Sequence, residues 1–235
     1  MQQQKKKRKR QQPSPAVVVQ ELACTSPLNR QQDVAIKLLH TSTVAFLLGP
    51  AGCGKTHLAI THAVGEVAAG NVEKIILTRP IVEAGESLGY LPGTFSEKVA
   101  PYLAPVYDAI EKVAGKNGKR RDQINAAVSV QPIAYLRGRT FDNAVIVVDE
   151  VQNCTLSQIK LVLTRLGRGS QIVITGDGSQ SDLPLRDRCL GDVAAAMLGL
   201  PGVGVMIFDH SSIVRHPILA SVIERIEQVE REVKK

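Results

Sequence analysis

An α/β fold, with a mostly parallel sheet covered by helices on both faces, is predicted by three features of this 235-residue sequence. Several five-residue segments are unbroken apolar runs rather than alternating ones, the pattern of strands buried on both sides. Segments with helical periodicity separate them, as parallel connections require. Hydrophobic residues make up 44% of the chain and charged residues 22%, enough apolar material to bury a core and too much for a disordered chain.

The elements follow in order. Leu28 to His40 has helical spacing, and Val44-Ala45-Phe46-Leu47-Leu48 is a buried strand ending at Gly-Pro. Thr56 to Val67 returns to helical periodicity. Lys74 to Thr78 is a second strand, closed off by Pro80. Ser96 to Val113 reads as a helix, Gly115 to Arg121 as a basic loop, and a shorter helix follows. Ala144 to Val148 is a continuous β-branched run. Thr155-Leu156-Ser157-Gln158 has the form of a capping box, opening a helix that Gly167 closes. Gln171 to Thr175 and Val203 to Phe208 are further strands, and Pro217 suits the first turn of a last helix.

Charge and cysteine content narrow the function classes. The formal charge is +7, but Lys5, Lys6, Lys7, Arg8, Lys9 and Arg10 supply six of it, leaving about +1 for everything else. Residues 1–16 are therefore read as a disordered basic arm, and residues 17–235 as the folded domain. The arm is either an electrostatic hook for phosphate backbones or a solvated extension. Only Ala16 to Val19 offer an apolar stretch near the start, which does not make a secretory signal. Cysteines at 24, 53, 154 and 189, with no CxxC, argue against a disulfide framework and a zinc site and fit a reducing cytoplasm. Apolar stretches break well before the ~18 residues of a membrane span, so no membrane association is expected.

Gly49-Pro50-Ala51-Gly52-Cys53-Gly54-Lys55-Thr56 matches the phosphate-binding pattern GxxxxGK[ST], with a strand before it and a helix beginning within it. Glycines let backbone N–H groups converge on phosphates, and the helix N-terminus adds partial positive charge. Lys55 would reach the β- and γ-phosphates, and the Thr56 hydroxyl would ligate Mg²⁺. Cys53 is read as a small residue inside the loop rather than a redox thiol. Asp149 follows the Ala144–Val148 run, so its carboxylate emerges at the sheet's carboxyl edge to hold Mg²⁺, and the adjacent Glu150 would activate water. Gln180, beyond the Gln171–Thr175 strand, would bond γ-phosphate and water. Arg215 would neutralise transition-state charge, in cis or across a subunit interface.

Other short motifs run in order between about residues 28 and 225. They are Arg79-Pro80 with Glu83-Ala84-Gly85-Glu86, Leu88-Gly89, Leu91-Pro92-Gly93, Glu97-Lys98-Val99 and Pro101-Tyr102-Leu103. Next come Arg137-Gly138-Arg139-Thr140, Asp149-Glu150 with Gln152-Asn153, and Leu163-Thr164-Arg165-Leu166-Gly167. Thr175-Gly176-Asp177 with Gln180, Asp182-Leu183-Pro184 and Val214-Arg215-His216-Pro217 complete the series. With the phosphate loop, this series resembles the PhoH family of P-loop ATPases, whose core is similar to one RecA-type motor domain of superfamily 1 helicases. The resemblance implies a RecA-like fold, binding and hydrolysis of ATP with Mg²⁺, and Gln32 as an adenine-reading glutamine beside Gln31. It also implies a homo-oligomeric ring such as a hexamer, and a link to RNA metabolism. Larger relatives carry a nuclease domain that is not expected here, and the second motor domain of a true helicase is not expected either.

The residues themselves point to nucleic acid only modestly. The domain is nearly neutral, and aromatics are 3% with no Trp. Candidate contacts to RNA or single-stranded DNA are Arg79, Arg137 and Arg139, with Tyr90, Tyr135 and Phe141 as stacking faces and Lys116, Lys119, Arg120 and Arg121 as a basic cluster. A nucleic-acid-coupled ATPase is the leading expectation, with a nucleotide-gated switch for a protein partner as the alternative. A small-molecule kinase fits less well, because Glu150 and Gln180 both point to water as nucleophile.

Overall fold

Parallel strands buried on both faces need an apolar side chain at every position, and Ala144–Val148 has one: all five residues are buried. In the computed structural model, which describes residues 26–81, 104, 106–113, 118–214 and six helical positions beyond 217, this strand lies inside a six-stranded, wholly parallel sheet. The strands are β1 (Val44–Leu48), β2 (Lys74–Arg79), β3 (Val128–Pro132), β4 (Ala144–Val148), β5 (Gln171–Gly176) and β6 (Val203–Ile207), in the spatial order β3-β2-β4-β5-β1-β6. The expected α/β class, RecA-like P-loop arrangement and helical cover on both faces are all present.

Alternation along each strand divides the core in two. Ala45 and Leu47 of β1, Ile75 and Leu77 of β2 and Val145 and Val147 of β4 face one layer. There they meet α1 (Arg30–Thr41), α2 (Lys55–Ala68), the helical residues 106–113 and Ile124 of α3 (Gly118–Ala127). Phe46, Ile76, Ile146, Ile172 and Ile174 face the other side. They pack against α4 (Leu156–Leu163), α5 (Leu190–Met197) and the 3₁₀ turn Ile133–Leu136. Helix α2 turns Leu58, Ala59 and Ala63 toward its layer.

Three local expectations are corrected. The basic segment read as a loop through Arg121 is helical from Gly118, because Lys119 to Asn125 contains neither Gly nor Pro to stop a helix. Arg121 is ion-paired with Glu111. The helix opened by Thr155 ends at Leu163, before Gly167, and the Thr164 hydroxyl donates to the Lys160 carbonyl (3.0 Å). Gly167 instead allows close approach to Phe141, whose carbonyl accepts its N–H at 3.0 Å; a Cβ there would collide with Asp142 and Phe141. Phe141 is no stacking face for bases: it is buried in the second core layer, with the Arg139 guanidinium 4.7 Å from its ring centre. Tyr135 is 54% exposed.

The arm 1–16, the motifs from Glu83 to Leu103, Tyr90, Lys116, Arg215 and Pro217 lie outside the described residues, as do the side chains of Lys119 and Arg120. Among the described residues no helix is long and apolar enough to cross a membrane.

Candidate nucleotide site

The strand order brings four carboxyl ends together. Pairing puts Leu48 beside Gly176, Val148 beside Ile174 and Thr78 beside Val148, so the residues that follow β1, β4 and β5 emerge along one edge. They line a cavity of about 390 Å³. Lys55 and Thr56 reach it from the loop after β1, Asp149 and Glu150 from β4, and Asp177 and Gln180 from β5, with Arg79 completing that wall. The sequence expected Lys55, Thr56, Asp149, Glu150 and Gln180 in the nucleotide site; Arg79 was expected as a nucleic-acid contact, and Asp177 was quoted in a motif without a role.

The loop Gly49–Thr56 is shaped by backbone that only glycine adopts freely. Gly49 has φ +139°, and a Cβ there would lie 2.5 Å from the Phe208 carbonyl oxygen. Gly54 has φ +89°, with Gln32 Nε2 only 2.9 Å from where a Cβ would stand. Val214 donates its N–H to the Gly52 carbonyl (2.9 Å), which brings the chain to this loop one residue before Arg215. Lys55 Nζ donates to the carbonyls of Gly49 (2.6 Å) and Pro50 (2.8 Å), inside the curve of the loop. Cys53 is buried, its thiol donates to the Pro50 carbonyl (3.0 Å), and burial pushes its pKa up against the opposing pull of Lys55. A small structural residue, rather than a reactive thiolate, fits that environment.

Gln32 is 4% exposed and ties α1 to the loop: its amide oxygen accepts from the Leu28 N–H (2.9 Å) and its amide nitrogen donates to the Cys53 carbonyl (3.0 Å). Gln31 faces elsewhere, accepting from the Asp209 N–H (3.0 Å). Of the two neighbours, Gln32 is the one in contact with the phosphate loop.

Asp149 is the centre of the polar network. Its Oδ1 accepts from the Thr56 hydroxyl at 2.8 Å and from the Thr175 hydroxyl at 2.5 Å. Strand β5 stands between β1 and β4, so Thr175 reaches Asp149 from the intervening strand, beside the direct bond from Thr56. Glu150 has φ +57°, in the left-handed region. Its carboxylate is shared between Gln152 Nε2 (2.5 Å) and Arg79 Nη2 (3.8 Å). Gln152 is itself buried, and its Oε1 accepts from the Asp177 N–H (2.9 Å). Asp177 Oδ2 is buried with no hydrogen-bond partner among the described residues.

Like Asp177, Thr175 and Gln152 were quoted in the motif series without a role in the site. Their signal was present but unspecific: a polar residue in an apolar strand end, and a Gln two residues after an acid. Arg137 and Arg139 follow the 3₁₀ turn Ile133–Leu136 in sequence and do not line the cavity; Arg139 donates to Gln131 Oε1 (2.5 Å).

Hard oxygen donors and a buried carboxylate suit Mg²⁺ rather than a softer ion. The glycine curve beside Lys55 suits a polyphosphate, whose oxygens would accept the loop's N–H groups. The orphan Asp177 oxygen adds a buried acceptor ready for a metal-bound water.

The chain is 46% identical over 194 residues to a PhoH-like protein of Bacillus subtilis, covering 82% of this chain and 61% of that one. It is 42% identical over 173 residues to Protein PhoH of Escherichia coli, covering 71% of this chain and 48% of the relative. The chain therefore spans between about half and three fifths of these relatives' lengths. A solved Pif1 helicase from Candida albicans aligns with 77% of the chain and 40% of its own, at 17% identity and a TM-score of 0.37, too loose a likeness to carry an argument. The model of the family described as PhoH-like protein matches residues 25–227. Nearly the whole described fold lies within that match, and the chain belongs to the PhoH-like family.

Proposed function

We propose that this chain binds ATP with Mg²⁺ and hydrolyses it, coupling turnover to RNA or single-stranded DNA. The observation that carries the reading is the 2.8 Å bond between the Thr56 hydroxyl, in the first turn of α2 after β1, and the Asp149 carboxylate just beyond β4, 93 residues apart in sequence. A hydroxyl after a P-loop lysine and a carboxylate on that lysine's side of the sheet are the pair that holds the metal of a nucleotide triphosphate.

Each residue then has a task. Backbone N–H groups of Gly49 to Thr56 bind phosphate oxygens, and Lys55 exchanges its carbonyl partners for the β- and γ-phosphates. Thr56 and Asp149 would hold Mg²⁺, which supplies charge neutralisation on the phosphates. Glu150 Oε takes the proton of the attacking water as its oxygen bonds to the γ-phosphorus and the bond to ADP breaks. Gln180 orients that water, and Arg215 is assigned the developing charge. Gln32 retains one N–H and one oxygen lone pair beyond its two bonds, which can meet the adenine edge.

One observation favours the switch reading as the runner-up. Arg79 faces Glu150 Oε1 while Gln152 holds Oε2, so a ligand that competes for Arg79 would free Oε1 with the carboxylate still oriented by Gln152. A nucleic-acid phosphate is one such ligand, which joins the two readings. A binding test of the core claim is Lys55→Ala with ATP followed by calorimetry: affinity should fall at least about tenfold, or ~1.4 kcal/mol. Unchanged affinity would remove the loop from the nucleotide site.

A further inference from the structure

At the amino-terminal edge of the sheet, across the molecule from the cavity, three side chains converge. His62 and Glu66 stand one turn apart on α2 and share a face, while His40 approaches from the last turn of α1. His40 Nδ1 is 3.7 Å from Glu66 Oε1, and the two imidazoles meet edge to face with centres 4.9 Å apart. One ligand atom from each of the three residues lies within 4.8 Å of the other two.

Surrounding hydrogen bonds hold His62 and Glu66 in place. Gln171, at the start of β5, donates its amide N–H groups to the Leu39 and Ser42 carbonyls, both at 2.6 Å. Its oxygen is thereby turned to His62 Nε2, also at 2.6 Å. An amide oxygen only accepts, so the His62 proton sits on Nε2 and the lone pair on Nδ1. Asn71 donates to Glu66 Oε2 (2.9 Å), leaving Oε1, the oxygen nearest His40, for another partner. Fixing a histidine tautomer and one carboxylate oxygen through outer partners is what metal sites do.

We propose that His40, His62 and Glu66 bind a borderline divalent transition-metal ion, Zn²⁺ in the first instance, which clamps the end of α1 to α2. Two imidazoles and one carboxylate select such an ion over Mg²⁺ or Ca²⁺. Metal–ligand bonds of about 2.0–2.1 Å in a tetrahedral site space the ligand atoms roughly 3.3 Å apart. The His40–Glu66 pair is already near that spacing, and His40, with its side chain 60% exposed, is free to close the rest. Solvent reaches the cluster past His40 and supplies the remaining coordination. The cysteines, scattered along the sequence, gave no sign of this site; its ligands are histidines joined by the packing of α1 on α2.

The test titrates zinc chloride into the chelator-treated, tag-free full chain by calorimetry, with excess Mg²⁺ present to cover Asp149. Thermal melts run alongside, for the parent, His40→Ala and Glu66→Gln. The parent should bind a single equivalent and melt at a higher temperature with zinc. Both variants should lose at least about tenfold in affinity and lose the zinc-dependent rise. His40 is exposed, so its variant keeps the fold, and its metal-free melt checks that directly. A parent that binds no zinc, or binding and stabilisation that survive both substitutions, would overturn the site and leave a plain His40–Glu66 ion pair. Neither outcome depends on ATP turnover, so failure here is distinct from failure of the proposed ATPase.

Discussion

Asp149 is only 6% exposed, and a carboxylate taken that far from water needs donors to replace it. Thr56 and Thr175 supply two. Thr175→Val keeps the volume and removes one donor, so equilibrium urea unfolding should show a loss of about 1.5–3 kcal/mol, the range for hydrogen bonds to charged groups. An unchanged midpoint would mean that the bond contributes nothing to the fold. Glu150 stores strain of order 1 kcal/mol in its left-handed backbone. Its neighbours over-determine the position: its carbonyl accepts from the Asn153 N–H (3.1 Å) and its carboxylate from Gln152. Away from the site, burial pushes the Cys154 thiol up to about 12. Lys55, Thr56, Asp149 and Glu150 were legible from spacing because phosphate and metal chemistry fix residue type and distance along the chain. Gln152 and Thr175 stood in the quoted motifs, but their roles were not legible, since a residue that bonds another side chain across a sheet leaves no periodic trace.

At the scale of elements, strands β1, β4 and β5 and the helix α2 were readable because each is a continuous apolar run or a clean helical period. Strand β3 was not recognised. It is a five-residue edge strand ending in Pro132, partly buried along most of its length, and it gains its identity from pairing with β2. Helix α5 escaped for a similar reason, since Gly191 in its first turn weakens the local signal and packing of Leu190 and Ala194 on the sheet decides it. The capping box of α4 was legible to the residue: the Gln158 N–H bonds the Thr155 hydroxyl, and the Gln158 side chain returns to the Thr155 N–H at 2.8 Å. Thr155→Ala removes the cap and should cost about 1 kcal/mol in a chemical denaturation curve. No shift would mean that tertiary packing alone holds that end of α4, which carries Ile159 and Val162 into the second core layer.

Across the whole molecule, the sheet separates two kinds of chemistry. Its carboxyl edge gathers the phosphate loop, the two acids and Gln180, while its amino edge carries the His40–His62–Glu66 cluster, and α2 runs between them from Lys55 to Ala68. The nearly neutral body and scarce aromatics give nucleic acid few footholds beyond the basic arm and the cavity's Arg79. Under the proposed function, a bound strand would draw Arg79 off Glu150 Oε1. The most direct measurement is steady-state ATP turnover with Mg²⁺, with and without single-stranded RNA or DNA, in the parent and in Glu150→Gln. The account predicts a parent rate that rises on adding a strand. In the variant it predicts undiminished ATP binding and turnover lower by about 10²–10⁴. Turnover that persists in Glu150→Gln at the parent rate would contradict it, because the proton would then be leaving the attacking water by way of another residue.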